Sequence, residues 1–332
     1  MSAGTGRGAG MTIDSPGALL RRYGLHARHS GAEFLIAPEV HAAIAVASGA
    51  RPGRRVIEIG AGLGTLTDRL LGTGAEVWAI ERDRDLCAVL RAELGERPNF
   101  TLHEADAVRF DYAAAIAGQA EPVAIVGNLP YQLTGPLLFA LLEQAPTGGP
   151  WVVMVQKEVA DRLCARPGED DYGGVTAVLS RVRTIARVRN VPRGCFLPAP
   201  RVDSAVIRLD ARPEPLGAVA DEAGLRHLVR TAFQQRRKVL VNSLAALGSR
   251  AEAQAWCAAA GIDPGVRPET LGPEQFAALQ RARGGRCRSC LRSSRSAADC
   301  RPRSCARRWS RCGAARSSCG SARAGRRRIS PA

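Results

Sequence analysis

The stretch "RRVIEIGAGLGTLTDRLL", residues 54 to 71, decides the fold. Val56 to Ile59 is a short, mostly apolar run between arginines and glycines, which predicts a buried strand. Gly60, Gly62 and Gly64 follow as a GxGxG turn before Thr65, and Leu66, Leu70 and Leu71 then recur at helical spacing. Further along, "AEVWAIERD" (75–83) predicts a second strand ending at Glu81, with a helix after it through Leu86, Val89, Leu90 and Leu94. "NFTLHEADAVRF" (99–110) predicts a third strand ending near Asp106, and "EPVAIVGNLPY" (121–131) a fourth. Strands alternating with helices predict an α/β, parallel, doubly wound sheet that binds ligands at the carboxyl ends of its strands.

The glycine spacing is not the GxGxxG of dinucleotide-binding turns. Without a Cβ, the backbone at Gly60 and Gly62 can approach a ligand closely. An acid at the end of the next strand, Glu81, is placed to accept two hydrogen bonds from ribose hydroxyls, each worth about 1.5 to 3 kcal/mol. The competing readings are a solvated strand-end acid for Glu81 and a helix N-cap for Asp106.

The chain has 332 residues, enough for a sizeable core and two domains. Its apolar runs are far shorter than the roughly 18 residues of a membrane helix. The first thirty residues lack an apolar segment of the secretory type, so a cytoplasmic protein is expected by elimination. The net charge of +16 is unevenly spread. Of the 47 basic and 31 acidic residues, 15 arginines and one acid, Asp299, fall in residues 283–332, which leaves 32 basic and 30 acidic groups before them. That tail holds six of the ten cysteines, Cys287 and Cys290 forming a CxxC, but no His follows His227 and the other spacings are irregular. No metal site is expected. Its composition predicts a disordered Arg/Ser/Cys-rich tail, either without function or a nonspecific RNA-binding arm. Cys87, Cys164, Cys195 and Cys257 are scattered, as reduced thiols would be.

The 54–107 run resembles the donor site of class I S-adenosylmethionine-dependent methyltransferases, a Rossmann-like fold. The resemblance implies that the Gly60, Gly62 and Gly64 loop holds the methionine part and Glu81 the ribose. Asp106 would then read the adenine amino group, with Ala107 against the ring. The fourth strand's end would face the methyl group. There Asn128-Leu129-Pro130-Tyr131 ends an apolar strand with an amide, a rigid proline and a ring. Pro130 fixes φ and biases Leu129 away from helix, which turns the Leu129 carbonyl outward. That carbonyl and the Asn128 oxygen make an acceptor pair suited to an exocyclic NH₂. Two such bonds would draw a delocalised adenine N6 toward tetrahedral geometry and stabilise the charge that grows as a methyl arrives. Tyr131 supplies a stacking plate, a contact worth roughly 1 to 3 kcal/mol per base. The target base must be unpaired or flipped out.

"NLPYQLTGPLLFALL" (128–142), "MVQKEVADRLCARPGEDDYGGVTAVL" (154–179), "VPRGCFLPAPRVDSAVIRL" (191–209) and "FQQRRKVLVNSL" (233–244) together resemble the ribosomal RNA adenine N6-dimethyltransferase family over residues 15–282. The housekeeping branch acting on 16S rRNA is the nearest. The family's pattern places Phe196, within Phe196-Pro198-Pro200, against the target base opposite Tyr131. A segment that lies over the donor corresponds to Gly31-Ala32-Glu33-Phe34-Leu35; Gly31, Phe34 and Leu35 match, and Ala32 and Glu33 replace two amides. The implied activity is dimethylation of N6 on two adjacent adenosines in the 3′-terminal hairpin loop of small-subunit rRNA, on the small ribosomal subunit, by a monomer. Two alternatives stay open: the 23S dimethyltransferase of the macrolide-resistance type, and a weakly active assembly factor.

The expected division is a flexible lead (1–14), the methyltransferase domain (15–212), a small all-helical RNA-binding domain (213–282) and the tail (283–332). Pro213 and Pro215 mark the end of the sheet domain. Residues 221–247 are predicted as one helix with Leu225, Leu228, Val229, Ala232, Phe233, Leu240, Leu244 and Leu247 on its apolar side. On such a helix Arg226, Arg230 and Arg237 share a second face and, with Arg236 and Lys238, form a basic patch for phosphates.

Overall fold

The computed structural model describes residues 13–26, 33–146, 148–235 and 238–284. The expected disordered tail lies, from residue 285 on, outside the described residues, as does most of the 1–14 lead. In chain order the elements are α1 (Pro16–Arg22), β1 (Phe34–Leu35), α2 (Pro38–Ser48), β2 (Arg55–Ile59), α3 (Thr65–Leu71), β3 (Glu76–Glu81), α4 (Arg84–Leu94) and β4 (Phe100–Glu104). Then come α5 (Tyr112–Ile116), β5 (Ala124–Asn128), α6 (Thr134–Gln144), β6 (Trp151–Gln156), α7 (Lys157–Cys164), α8 (Gly174–Val182), β7 (Arg183–Val191), β8 (Phe196–Leu197) and β9 (Ser204–Ala211). Four helices follow: α9 (Glu222–Gln234), α10 (Leu240–Leu244), α11 (Arg250–Ala260) and α12 (Pro273–Gly284).

Seven strands form one sheet in the order β4-β3-β2-β5-β6-β9-β7. The first five are parallel, as expected for alternating strands and helices. The sheet as a whole is mixed, however, because β9 runs antiparallel to both β6 and β7. The physical reason lies in the connection. Residues 192–203 between β7 and β9 hold a 3₁₀ turn and the short β8 rather than a crossover helix, so the chain doubles back.

Alternate residues of the strands feed opposite faces. Ile57, Ile59, Ile125, Val153 and Ile207 pack into one apolar cluster, and Val56, Val77, Val126, Val152 and Val206 into another on the far side. The first cluster runs without a break from α6 and α8 into Leu225, Leu228, Leu240, Leu244, Trp256 and Phe276 of the C-terminal helices. A ring series joins them, Tyr172 to Phe233 at 6.0 Å and Phe233 to Phe276 at 5.8 Å.

The single helix predicted over 221–247 is two. α9 stops at Gln234, and α10 starts at Leu240 with its N–H donating to the Val266 carbonyl at 2.7 Å. Leu240 and Leu244 remain on a helical repeat with Phe233, so apolar spacing cannot register the break. The long-range bond to the 266 loop decides it.

Arg183 is fully buried at the start of β7. Its guanidinium lies 3.6 Å over the Trp151 ring and donates to the carbonyls of Ala145, Gly149 and Leu209 at 2.7, 2.9 and 3.1 Å. Burial draws its pKa down to about 10, so it stays charged at neutral pH. Four carbonyls, counting Pro146, and one ring face replace water around the charge. Arg183→Met should therefore orphan these carbonyls and lower unfolding stability by roughly 2 to 4 kcal/mol. Urea denaturation checks this, and wild-type stability would mean that the carbonyls reach water in the variant.

Candidate active site

The carboxyl ends of β2, β3, β4 and β5 lie along one edge and enclose a cleft of about 560 Å³. Of the residues expected at a donor site, Leu35, Gly60, Gly62, Glu81, Asp106, Ala107 and Asn128 line it, together with Leu129 and Pro130. Gly60, Gly62 and Gly64 have φ of 70, 59 and 83°, a region that disfavours side chains. A Cβ at Gly62 would touch the Phe34 ring at 3.5 Å.

Gly64 is not part of the cleft wall, contrary to expectation. It precedes α3, and a Cβ there would lie 2.9 Å from Leu90 and 3.0 Å from Leu94 of α4. Its function is close packing of loop on helix.

The Glu81 carboxylate is already engaged by main chain. Oε1 accepts from the N–H groups of Arg82 and Asp83 at 2.8 and 2.9 Å, and Oε2 from Gly62 at 2.9 Å. A carboxylate offers about four acceptor positions. One position on Oε2 is left, rather than the two expected for ribose, unless the Gly62 amide gives way. Asp106 starts no helix: its Oδ1 holds the Val108 N–H at 2.9 Å in a tight turn, while Oδ2 lies 3.9 Å from Arg82.

Asn128 ends β5, and its Nδ2 donates to the Glu33 main-chain carbonyl at 3.1 Å. This fixes the amide's rotation and leaves Oδ1 as an acceptor. Leu129 is buried, with its N–H on the Met154 carbonyl at 3.1 Å, and no hydrogen bond among the described residues ends on its own carbonyl. The Pro130 carbonyl is taken by Leu133 N–H at 2.9 Å and Thr134 Oγ1 at 3.3 Å, which sets the turn. Residues Tyr131–Leu133 form a 3₁₀ turn; the Tyr131 ring lies outside the described residues.

Phe196 is 3% exposed and is not among the residues that line the donor cleft, and the Tyr131 ring expected opposite it lies outside the described residues. Strand β8 pairs antiparallel with β1, Leu35 opposite Phe196, and the Phe196 ring joins Leu35 and Val191 in the apolar cluster beneath the sheet. The β1–β8 ladder does fasten the 33–35 segment beside Asn128, with Ile36 N–H on the Cys195 carbonyl at 2.8 Å.

Of the expected basic patch, Arg236 and Arg237 lie outside the described residues. Arg226 pairs with Glu143 at 2.9 Å, and Arg230 lies 3.1 Å from His227. Arg230 and Lys238 are exposed.

Sequence reasoning missed Glu58. This acid sits inside β2, 1% exposed, on the cleft floor, and its Oε2 has no hydrogen-bond partner. Burial pushes its pKa up to about 8, the charge of Glu81 adding to the shift. A lone acid in an apolar strand was the available signal. In the same cleft, burial pulls His41 down to about 4, and its ring lies 3.5 Å from Thr65 Oγ1. Their contributions to stability oppose each other. The lowered His41 stabilises progressively as pH rises from about 4 to 6.5; the raised Glu58 loses stability from about 4.5 to 8. Between pH 6.5 and 8 only the loss remains, at most about 1.4 kcal/mol per pH unit. Glu58→Gln should flatten that decline in denaturant titrations run across the interval.

Among the described residues, no three His, Cys, Asp or Glu side chains gather to hold a metal, and no helix is long and apolar enough to cross a membrane. The family model for ribosomal RNA adenine dimethylase matches residues 26–282. A ribosomal RNA small subunit methyltransferase A from Anaeromyxobacter sp. (strain K) is 49% identical over 281 residues, covering 81% of this chain and 98% of that protein. One of the same name from Myxococcus xanthus is 43% identical over 276 residues, covering 82% and 96%. Among solved structures, the 23S rRNA methyltransferase ErmE is 30% identical, with TM-score 0.57 and coverage of 75% of this chain and 98% of its own. A dimethyladenosine transferase from Plasmodium falciparum shares the fold at 24% identity, with TM-score 0.62 and coverage of 75% and 97%. With the methyltransferase sheet in place and the match spanning most of the chain, this protein belongs to the ribosomal RNA adenine dimethylase family.

Proposed function

We propose that the chain dimethylates N6 of two adjacent adenosines in the 3′-terminal hairpin loop of 16S rRNA, using S-adenosylmethionine, as a cytoplasmic monomer acting on the small ribosomal subunit. The observation that carries the reaction type is the Asn128 amide, held through Nδ2 so that Oδ1 faces the cleft as an acceptor. Small-subunit relatives up to 49% identical support this branch over the 23S one.

The cleft residues fit the donor. Glu58 brings an orphan carboxyl oxygen that suits an α-ammonium group, and a cation there would draw the carboxyl back to its charged form. Glu81 Oε2 offers its remaining position to ribose, and Asp106 Oδ2 suits an adenine amino group. Phe34 and Leu35 cover the cleft from the β1 side. Bound there, S-adenosylmethionine supplies a methyl group on a positively charged sulfur. Asn128 Oδ1 and the Leu129 carbonyl accept hydrogen bonds from the target's N6–H groups, two in the first transfer and one in the second, orient its lone pair toward the cleft and stabilise the growing positive charge. As the N–C bond forms, the C–S bond breaks to leave a neutral thioether, and the excess N6 proton passes to solvent. No strong base is needed, since alignment itself can be worth about 7 to 11 kcal/mol in favourable intramolecular cases. The C-terminal helices, with Arg230 and Lys238 exposed, form the proposed RNA-binding part.

Asn128→Ala should reduce tritium transfer to unmethylated small subunits by about 100-fold or more while subunit binding stays nearly intact. Unchanged turnover refutes the assigned role. Glu81→Ala should raise the donor's Kd at least about ten-fold, read by titration calorimetry, because it loses both a ribose acceptor and the tether on Gly62. Primer extension on the product rRNA then maps the modified bases and separates the 16S target from a 23S one.

A further inference from the structure

The sheet order sets two openings on one edge. The donor cleft occupies the ends of β4, β3, β2 and β5. On the other side of β5, at the ends of β6 and β7 and the start of β9, a second cavity of about 530 Å³ contains Lys157, Arg193, Arg201 and Asp203. Asn128 pairs with Met154 of β6, so the notch begins at Gln156, two residues and about 7 Å of strand further on.

Asp203 is the frame of the notch. Its main-chain carbonyl accepts the Lys157 N–H at 2.9 Å, and its Oδ1 accepts the Arg193 N–H at 2.9 Å. The start of α7, the β7–β8 turn and the start of β9 are thereby held together. Lys157 shares its ammonium with Asp161 at 2.9 Å. Arg193 and Arg201 are exposed, and among the described residues neither guanidinium has a carboxylate partner. Arg91, Arg187, Arg208 and Arg226 each pair with an acid, whereas the two forks here stay available to an outside anion. α7 also begins here with no side chain capping its first turn, so its dipole adds positive partial charge.

We propose that this notch grips the phosphodiester backbone of the substrate RNA beside the adenosine being methylated. The inference rests on the reading of the cleft as an N6-methyl-transfer site. With the donor on the β2 side of Asn128, the ribose and phosphates of a base held at Asn128 must lead away on the β6 side. There two unpaired planar guanidinium forks match phosphate geometry. The contact positions the strand without reading sequence. Glu158 and Asp203 also border the notch, so its grip is local, made by the two forks rather than by a broad field.

The test uses the full chain, the Arg193→Ala/Arg201→Ala double variant and unmethylated small subunits over a range of KCl. The expected result is a KM for subunits raised roughly ten-fold, with kcat within about two-fold and donor Kd unchanged. The slope of log KM against log salt should become shallower by about 1.4, at about 0.7 per lost contact to a single strand. The Arg193→Lys/Arg201→Lys variant should keep the wild-type slope and recover part of the KM. An unaltered KM and slope in the alanine variant overturns the notch while leaving the proposed function standing. A raised KM with an unaltered slope overturns it as well, since lost packing rather than a lost phosphate contact then explains the effect. If the wild-type chain transfers no methyl, the proposed function fails, and filter retention of subunits by wild type and variant, compared by the same slope, still decides the notch.

Discussion

Parallel pairing on both sides of β2 is the constraint from which the site follows. Ile59 is opposite Ile80 of β3 on one flank and Gly127 of β5 on the other, so three strand ends stand about 4.8 Å apart on one edge. Four of the chemically important residues are at or just beyond those ends: Gly60 and Gly62 after β2, Glu81 at the end of β3, Asn128 at the end of β5. Gly127 makes the closure possible, because a Cβ there would lie 2.4 Å from the Ile59 carbonyl oxygen. Adjacent parallel strands thus bring together groups separated by about 70 positions in the chain.

Main-chain groups, more than side chains, then orient the functional residues. Three backbone amides converge on the Glu81 carboxylate and join the glycine loop to the start of α4. A backbone carbonyl orients Asn128. This bears on position 33, where glutamate replaces the amide of the resembling segment. Position 33 acts on Asn128 through its carbonyl, which any residue supplies, and the β1–β8 ladder that places it uses Phe34 and Leu35, both retained.

Charge is managed locally. The chain before residue 283 is nearly neutral, and many of its arginines are committed to internal tasks, from Arg183 among carbonyls to Arg226 on Glu143. Attraction of a polyanion by this part of the protein would therefore come from exposed cations that lack an acid partner, such as Arg193, Arg201 and Arg230, and not from an overall positive potential. Burial supplies the complementary effect in the cleft, where it pushes the Glu58 carboxyl up to about 8 and so favours its neutral form.

Local sequence determined the strand-turn-helix unit, the parallel order of the first five strands, the acid at the end of β3 and the NLPY turn, because short apolar runs, glycines and a proline impose their conformations over a few residues. It also carried the family resemblance that the comparisons bear out. Tertiary structure alone decided the rest. The antiparallel return of β9, the break between α9 and α10 and the inward turn of Phe196 each depend on a partner distant in the chain. Gly64 facing Leu90 and Glu58 left with an orphan oxygen are equally invisible to spacing, since packing and loss of solvent act on neighbours in space, which a linear pattern does not name.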